Sequence, residues 1–341
     1  MITILEKYNL QQHNTFRIEA SCSEWVEYTS VDDIPAVVSL TKGKPFVSIG
    51  EGSNILFTDD YHGVVLHSRI LDLEMNIDSE GDLLVKAGAG LKMDDLIGYL
   101  SANGWWGLEN LSLIPGTVGA SVVQNIGAYG AEAKDSVVKV ECYDVEANMF
   151  VTFDNKDCDF SYRNSLFKKC GGRYIVTYVI YKLRKNAMPN LKYGNLGERL
   201  SIKDTITPLV VREEIIKIRN EKLPPVEEIG SAGSFFKNPV ISEEDYISLK
   251  EIQRNRLNNA SEIPHYAVEG GIKIPAAWLI EQCGFKGKQY GNVAVWKRQP
   301  LIIVNLTGKA TSAEILELES KIIETVKSTF GIELEPEVDH I

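Results

Sequence analysis

Between Gly104 and Ala131 the chain reads GWWGLENLSLIPGTVGASVVQNIGAYGA, with a single charge, Glu109, and six glycines. A stretch this apolar is not an ordinary solvated connection, because loops on a surface are rich in polar and charged side chains. Its small residues let the backbone approach a neighbour closely. Two readings stay open on these residues. The stretch is a buried connection between sheets, or it is the wall of a site for a large planar ligand, with backbone groups and the amides Gln124 and Asn125 meeting the ligand's polar edge. Either reading needs a chain that can bury much of itself. At 341 residues, 44% apolar and 24% charged, this one is a soluble globular protein of two or three domains.

A second glycine-rich stretch, VSIGEGSNIL (47–56), follows an apolar strand pattern. Ile55 stands where a dinucleotide-binding fingerprint needs its third glycine, and a turn and another strand follow (FTDDYHGVVLH) instead of an amphipathic helix. The stretch reads as strand–loop–strand, either a plain tight turn or a nest of backbone N–H groups suited to an anion. A third short segment, GSFFKNP (233–239), sets the Ser234 hydroxyl between a glycine and two phenylalanines. It reads as a strand start, with Gly233 for the turn and Pro239 as the stop, or as a hydroxyl held for chemistry.

Charge and composition exclude several classes. A net charge of −11 argues against a nucleic-acid or anionic-membrane partner. The opening MITILEKYNLQQHNTFRIEA has neither a basic start nor a long apolar core, so no export signal is expected, and no run approaches the ~20 apolar residues of a membrane span. The five cysteines, Cys22, Cys142, Cys158, Cys170 and Cys283, form no C-x-x-C pair and read as reduced thiols of a cytoplasmic protein. The five histidines are scattered, so no metal site is expected.

Helix signals run over 32–43 with a capping Asp32, over 92–104, from Thr207-Pro208 to the stop at Pro224-Pro225, and from the capping box Thr311-x-x-Glu314 to Gly331. β-Branched and aromatic runs predict strands at 45–49, 63–67, 83–87, 137–145, 174–183 and 301–306. The elements mix without strict alternation, which favours an α+β class. Domain boundaries are expected in KLPPVEE (222–228) and, more softly, near 68–72.

GEGSN (50–54), IPGTVGASVVQNIGAYG (114–130), SYRNS (161–165), GSFFKNP (233–239) and LEPEV (334–338) occur in that order. Together they resemble the UDP-N-acetylenolpyruvoylglucosamine reductase family, flavoenzymes of cell-wall precursor synthesis. KYGNL (192–196) resembles the tyrosine-bearing segment of its longer, type I form. The resemblance implies a vanillyl-alcohol-oxidase-like (PCMH-type) FAD-binding fold: two α+β subdomains over 1–68 and 69–222, and a third, substrate-binding α+β domain over 223–341. It assigns FAD to Gly50, Glu51, Gly52, Ser53, Asn54, Ile55 and Leu56, and to Pro115, Gly116, Gly119, Ala120, Gln124, Asn125, Gly127, Ala128 and Tyr129. Neither glycine loop contains the His or Cys that attaches flavin in covalent relatives, so FAD is expected to be non-covalent.

The implied reaction takes hydride from NADPH through FAD to C3 of the enolpyruvyl group of UDP-N-acetylglucosamine enolpyruvate, and a proton to C2. Charge built at C2 and spread into the carboxylate calls for a fixed cation, a hydrogen-bond donor and a nearby acid. The family's catalytic positions fall on Arg163, Ser234 and Glu337, with Ser234 as proton donor. Substrate contacts fall on Tyr193, Lys222, Asn238 and Gln299. A cytoplasmic monomer is implied, with no metal. Four residues, Val338 to Ile341, follow Glu337. The competing readings are an oxygen-using flavin oxidase and a UDP-sugar-binding regulator without catalysis.

Overall fold

The computed structural model describes residues 1–225, 227–256 and 262–341. Val226, inside the expected KLPPVEE boundary, lies outside the described residues. The chain forms two compact units. The first comprises Met1–Asn9, Ser21–Glu51 and Tyr61–Asn220, and the second Leu10–Ala20, Gly52–Asp60 and Glu221–Ile341.

The first unit holds two sheets. In one, the strands Ile2–Asn9, Ser21–Tyr28, Tyr61–Ser68 and Phe46–Ile49 lie side by side in that order. The first pair is antiparallel and the others are parallel. Val64, Val65 and Leu66 are wholly buried in its centre, the continuous apolar run of a strand covered on both faces. The other sheet is antiparallel, in the order Met149–Asp154, Val137–Asp144, Tyr174–Leu183, Leu83–Gly88 and Leu73–Ile77. Along Tyr174–Leu183 the residues Ile175, Thr177, Val179, Tyr181 and Leu183 are buried, the period of two that the sequence shows. The helices Met93–Ala102 and Val118–Val123 bury Leu96, Ile97, Val118 and Val122 in the same core as Val85, Val140 and Val179.

The second unit carries a four-stranded antiparallel sheet (Gly230–Ser231, Ile303–Asn305, Val293–Val295, Gln289–Tyr290) and a three-stranded one (Val240–Ile241, Gly271–Lys273, Tyr266–Val268). Asp339–His340 pairs in parallel with Ile55–Leu56. The helix Ser312–Phe330 buries Ile315, Leu318, Ile322, Val326 and Phe330 in one core with Phe16, Leu56, Phe235, Phe236 and Val338.

Helix ends follow the sequence closely. Thr311 and Glu314 form the reciprocal capping box, and Gly331 closes the helix at φ +72°. The Thr207 hydroxyl accepts the Val210 N–H (3.2 Å) ahead of the helix Pro208–Lys222. The expected cap at Asp32 is corrected: Ser30 caps a short 3₁₀ turn, Val31–Asp33, and the Asp33 carboxylate accepts the Ser30 N–H. Four strands of five or more residues carried no sequence prediction: Ile2–Asn9, Ser21–Tyr28, Leu73–Ile77 and Met149–Asp154. The strand-start reading of GSFFKNP also fails: the strand ends at Ser231, and 232–239 is irregular apart from a single bridge at Phe236.

Candidate active site

In the first unit, the apolar stretch near 114–130 is a wall held by its own polar groups. Glu51 accepts the Gly116 N–H (2.8 Å) and pairs with Lys92 (3.2 Å), tying the first glycine loop to the second. The first-turn amides of the helix Val118–Val123 are already used. The Val118 N–H donates to Leu91 O, Gly119 N–H to Ala89 O, and Ala120 N–H to the Thr117 hydroxyl. Asn125 is wholly buried. Its amide donates to Ser161 O (2.9 Å) and to Glu132 (3.1 Å), and its oxygen accepts Lys134 N–H. The Asn125 side chain therefore braces the SYRNS loop. The Ser165 hydroxyl adds a second brace by donating to Val123 O (2.7 Å).

That loop presents Arg163 at φ +55°, an uncommon backbone state for a residue with a side chain. Its guanidinium donates to Gly127 O (2.9 Å) and lies 5.0 Å from the Tyr162 ring. A Cβ at position 127 would come within 2.9 Å of Arg163 Nη1, so glycine there lets the guanidinium lie flat on the backbone. Tyr129, at φ +49°, meets Tyr193 edge-on at 6.0 Å. The Asn110 amide donates to Tyr129 O and Asn190 O, both 2.8 Å, and so holds the Tyr193 segment against the wall.

A cation behind this wall escaped the sequence reading. Asp94 is chelated by Arg212, with an Nη2–Oδ2 distance of 2.9 Å, and also accepts the Leu113 N–H. Burial works against the Asp94 charge, but the guanidinium and the N–H outweigh it and hold the carboxyl below its ordinary range. Leu113, at φ +61°, offers its carbonyl to Arg219 at 3.3 Å. Arg219 Nε is buried without a partner, and burial lowers its pKa, with Tyr129 and Asp94 opposing. A five-donor group with one long hydrogen bond is short of acceptors. The helical position of Arg219 is legible in the sequence; its contact with Leu113 is tertiary and is not.

In the second unit two distant segments pair. Phe235 N–H donates to Leu301 O (2.8 Å), Glu337 N–H to Phe235 O (2.8 Å) and Lys237 N–H to Glu335 O (2.9 Å), while Phe236 bridges Pro336. Ser234 and Glu337 thus ride on adjoining backbone, each partly buried, above the fully buried Phe235 and Phe236 rings. Asn238 Oδ1 accepts the Ala276 N–H (2.9 Å), and among the described residues its NH₂ meets no protein acceptor. The Lys222 carbonyl accepts Trp296 Nε1–H (2.9 Å), and the Lys222 side chain is exposed. Gln299 follows Arg298, which donates to Glu221 O (3.2 Å) and places a second cation one residue from Lys222 along the chain's hydrogen bonds. Gly52, at φ +64°, is irreplaceable: a Cβ there would lie 2.0 Å from His13 O. The Asn54 side chain donates to Glu337 O (3.0 Å).

Comparison with known proteins decides what these sites belong to. A family model described as the C-terminal domain of UDP-N-acetylenolpyruvoylglucosamine reductase matches residues 224–341, and one described as an FAD binding domain matches 24–152. Proteins named UDP-N-acetylenolpyruvoylglucosamine reductase are 42% identical in Bacteroides fragilis (strain YCH46), over 98% of this chain and 99% of that one, and 40% identical in Porphyromonas gingivalis (strain W83), over 99% of both. The chain belongs to the UDP-N-acetylenolpyruvoylglucosamine reductase family. The crystal structure of the reductase from Thermus caldophilus shares the fold, with a TM-score of 0.65 at 21% identity over 100% of this chain and 98% of that one.

As a member of this reductase family the chain is an FAD-dependent oxidoreductase, and its own residues fit the cofactor. Among the described residues, no protein acceptor lies on the backbone N–H groups of Gly50 and Glu51. Gln124 receives the Lys168 ammonium on its oxygen (2.7 Å), yet its Nε2 is buried without a partner. With the underused Arg219 guanidinium, these are donors and a cation suited to an acceptor-rich, anionic cofactor. Among the described residues, no helix is long and apolar enough to cross a membrane.

Proposed function

We propose that this chain reduces UDP-N-acetylglucosamine enolpyruvate to UDP-N-acetylmuramate at the expense of NADPH, in cytoplasmic peptidoglycan precursor synthesis. In this reading 1–68 and 69–222 serve the cofactor and 223–341 the substrate. Bound FAD supplies the two-electron relay by which hydride from NADPH reaches C3 of the enolpyruvyl group. Gly50, Glu51 and Gln124 hold it through hydrogen bonds without a covalent link, and Arg219 sets a positive field beside Leu113 and Tyr129.

Arg163, fixed on Gly127 O, binds the substrate carboxylate and draws charge from C2 as hydride arrives at C3. The Ser234 Oγ–H gives its proton to C2. A free serine is far too weak an acid for this, so the negative charge growing at C2 has to draw the proton out. Glu337 stabilises the protonated carboxylate form of the intermediate. Tyr193, Lys222, Asn238 and Gln299 receive the UDP-sugar, with Lys222 placing its ammonium on the diphosphate. The observation that carries the reading is the hydrogen bond from Glu337 N–H to Phe235 O. It joins two motifs about a hundred residues apart and brings an acid and a hydroxyl onto neighbouring backbone.

An anaerobic absorbance titration tests the function. The flavin band of the purified protein should bleach with NADPH and return on adding the enolpyruvyl UDP-sugar. Rapid recolouring in air with no effect of the sugar would support the oxidase reading instead.

A further inference from the structure

The Glu337 segment is held by little regular structure. Asp339–His340 makes a two-residue parallel pairing with Ile55–Leu56. That pairing rests on Asp339 N–H to Asn54 O (3.0 Å) and Ile341 N–H to Leu56 O (2.9 Å), and beyond it stand single hydrogen bonds: Glu337 N–H to Phe235 O (2.8 Å), the Asn54 side-chain amide to Glu337 O (3.0 Å) and Thr58 N–H to Ile341 O (2.8 Å). Pairings this short open easily when no side chain anchors them. Val338 supplies an apolar anchor by sinking into the core.

The second anchor is ionic. His340 Nε2 lies 3.2 Å from Oε2 of Glu319, on the helix Ser312–Phe330. Ring and carboxylate meet off the ideal hydrogen-bond line, since Glu319 Oε2 has no aligned donor. The contact is an ion pair when the imidazole is protonated. Glu319 is only 6% exposed, and among the described residues His340 is the basic group paired with it. A carboxylate this buried needs a cation, because leaving it alone costs much of its hydration. The imidazole also lies 6.3 Å from the Phe235 ring, tilted by 48°, next to Ser234 in sequence. His340, though exposed, thus touches both the helix and the segment that carries the proposed proton donor.

We propose that His340 is a positioning residue, locked by Glu319, that fixes the backbone carrying Glu337. The proposal rests on the reading of Glu337 as a catalytic group. Among the described residues, the titratable groups acting on His340 are Glu319 from the helix and Asp339 on its own strand; Phe235 contributes an uncharged ring, and Ile55–Leu56 contributes backbone. The Glu319 contact raises the His340 pKa, burial opposes it, and Asp339 adds to the rise. For a histidine raised on folding, the stabilisation is complete below the ordinary pKa of about 6.5 and fades as pH climbs through the raised value. The lock is closed below the ordinary histidine pKa and opens as pH rises through the raised value.

Two measurements on the FAD-loaded protein test this: hydrogen exchange of peptides covering 334–341, corrected for intrinsic rates, and the pH profile of flavin reoxidation by the enolpyruvyl UDP-sugar. Flavin reduction by NADPH is the internal control. In wild type, exchange should quicken and reoxidation slow as pH passes the raised pKa. His340→Gln should show the open behaviour at every pH, with reoxidation roughly three- to fivefold slower at pH 6, the worth of a half-exposed ion pair. It should show no alkaline limb and unchanged flavin reduction. His340→Lys, a cation at all these pH values, should restore the rate and remove the limb. Glu319→Gln should reproduce His340→Gln, which covers the case of a variant that folds poorly. If His340→Gln leaves exchange and profile as in wild type, the lock is refuted. If exchange quickens while reoxidation keeps its rate, the segment is latched but positions nothing, and the proposal also falls. Glu337→Gln separates the two claims. An intact reoxidation rate there would overturn the catalytic reading of Glu337, while the exchange data would still judge the lock.

Discussion

The candidate sites of the two units, taken separately, are built in opposite ways. In the first unit, the wall around 114–130 has its polar groups turned inward: Asn125 braces the Arg163 loop, Asn110 braces the Tyr193 segment, and the first-turn amides of the helix Val118–Val123 bind protein carbonyls. In the second unit, 234–238 and 334–338 are irregular apart from a single bridge and meet through a few backbone hydrogen bonds and the Lys237–Glu335 ion pair, while His340 pairs with Glu319 on the helix Ser312–Phe330. The wall is braced on site by these bonds, with Asn110 Oδ1 and Gln124 Nε2 left unpartnered among the described residues. The paired segments depend on each other and on the helix Ser312–Phe330. Substitutions in the wall should therefore act on cofactor retention and stability, and those in the paired segments on substrate turnover.

The sharpest test of that division is Ser234→Ala. It removes one oxygen from a partly buried site and leaves the Phe235 and Phe236 anchors in place. Reoxidation of reduced flavin by the enolpyruvyl substrate should slow by about 10²–10⁴-fold, the worth of a positioned acid. FAD content and flavin reduction by NADPH should stay near wild type, since neither needs a proton at C2. Anaerobic stopped-flow reads the two halves separately. Equal slowing of both would mean that the paired segments also serve the flavin, and the division would fail.

Gly52→Ala attacks the first glycine loop where it packs most tightly. The new Cβ would meet His13 O at 2.0 Å, in a backbone conformation of φ +64°. Overpacking costs about 1–3 kcal/mol, and the left-handed conformation adds about 1–2 kcal/mol. Urea denaturation should show a loss of roughly 3 kcal/mol, and the protein should purify with little flavin. Retention of full stability would mean that the loop adapts and that the glycine serves no structural purpose.

What the sequence disclosed depended on whether the decisive contact was local. The helix starts at Thr207 and Thr311 and the strand Tyr174–Leu183 were legible because cap, proline and period-two burial lie within a few residues. Leu73–Ile77 was not: four of its five residues are exposed, so no apolar alternation marks it, and its pairing with Leu83–Gly88 supplies the order. Ile2–Asn9 is an edge strand of the same kind. In the site, the order of the motifs pointed to Ser234 and Glu337, but no spacing rule reveals that Glu337 N–H binds Phe235 O. Likewise Asn125 and Asn54 read as ligand amides, while the folded chain gives both side chains protein carbonyls. The Asp94–Leu113–Arg219 chain of contacts has no sequence signature, because it joins two helices and a loop by tertiary packing.

Asp94→Asn probes the wall from behind. It weakens the forked contact with Arg212 and the hold on Leu113, and it should cost about 2 kcal/mol, in the range of hydrogen bonds to charged groups. The Asp94 pKa is lowered on folding. Its contribution is therefore present above the unfolded value of about 3.9 and disappears as pH falls through the folded value. Variant and wild type should differ at pH 7 and converge toward pH 3 in urea melts. A gap that does not narrow at all as pH falls below the unfolded value would show that geometry, and not charge, sets the cost. The turnover of flavin already bound should change little.

Asn54→Ala carries the smallest expected effect and bears most directly on the contrast between the two regions. The resemblance assigns Asn54 to FAD, yet its side-chain amide donates to Glu337 O at 3.0 Å. Its carbonyl accepts Asp339 N–H at 3.0 Å. Removing the side chain deletes one neutral hydrogen bond, worth about 1 kcal/mol, while the backbone contact survives. If Asn54 serves the paired segments, exchange at 335–341 should quicken and flavin reoxidation by the sugar should slow by roughly fivefold, the equivalent of that energy, with the FAD dissociation constant unchanged. If Asn54 serves the cofactor, flavin should dissociate more readily, with exchange at 335–341 as in wild type. A change in both would mean that one amide couples cofactor retention to the Glu337 segment. The first glycine loop would then belong to both modes of construction, and the contrast between a self-satisfied wall and a mutually dependent pair would hold only for 114–130.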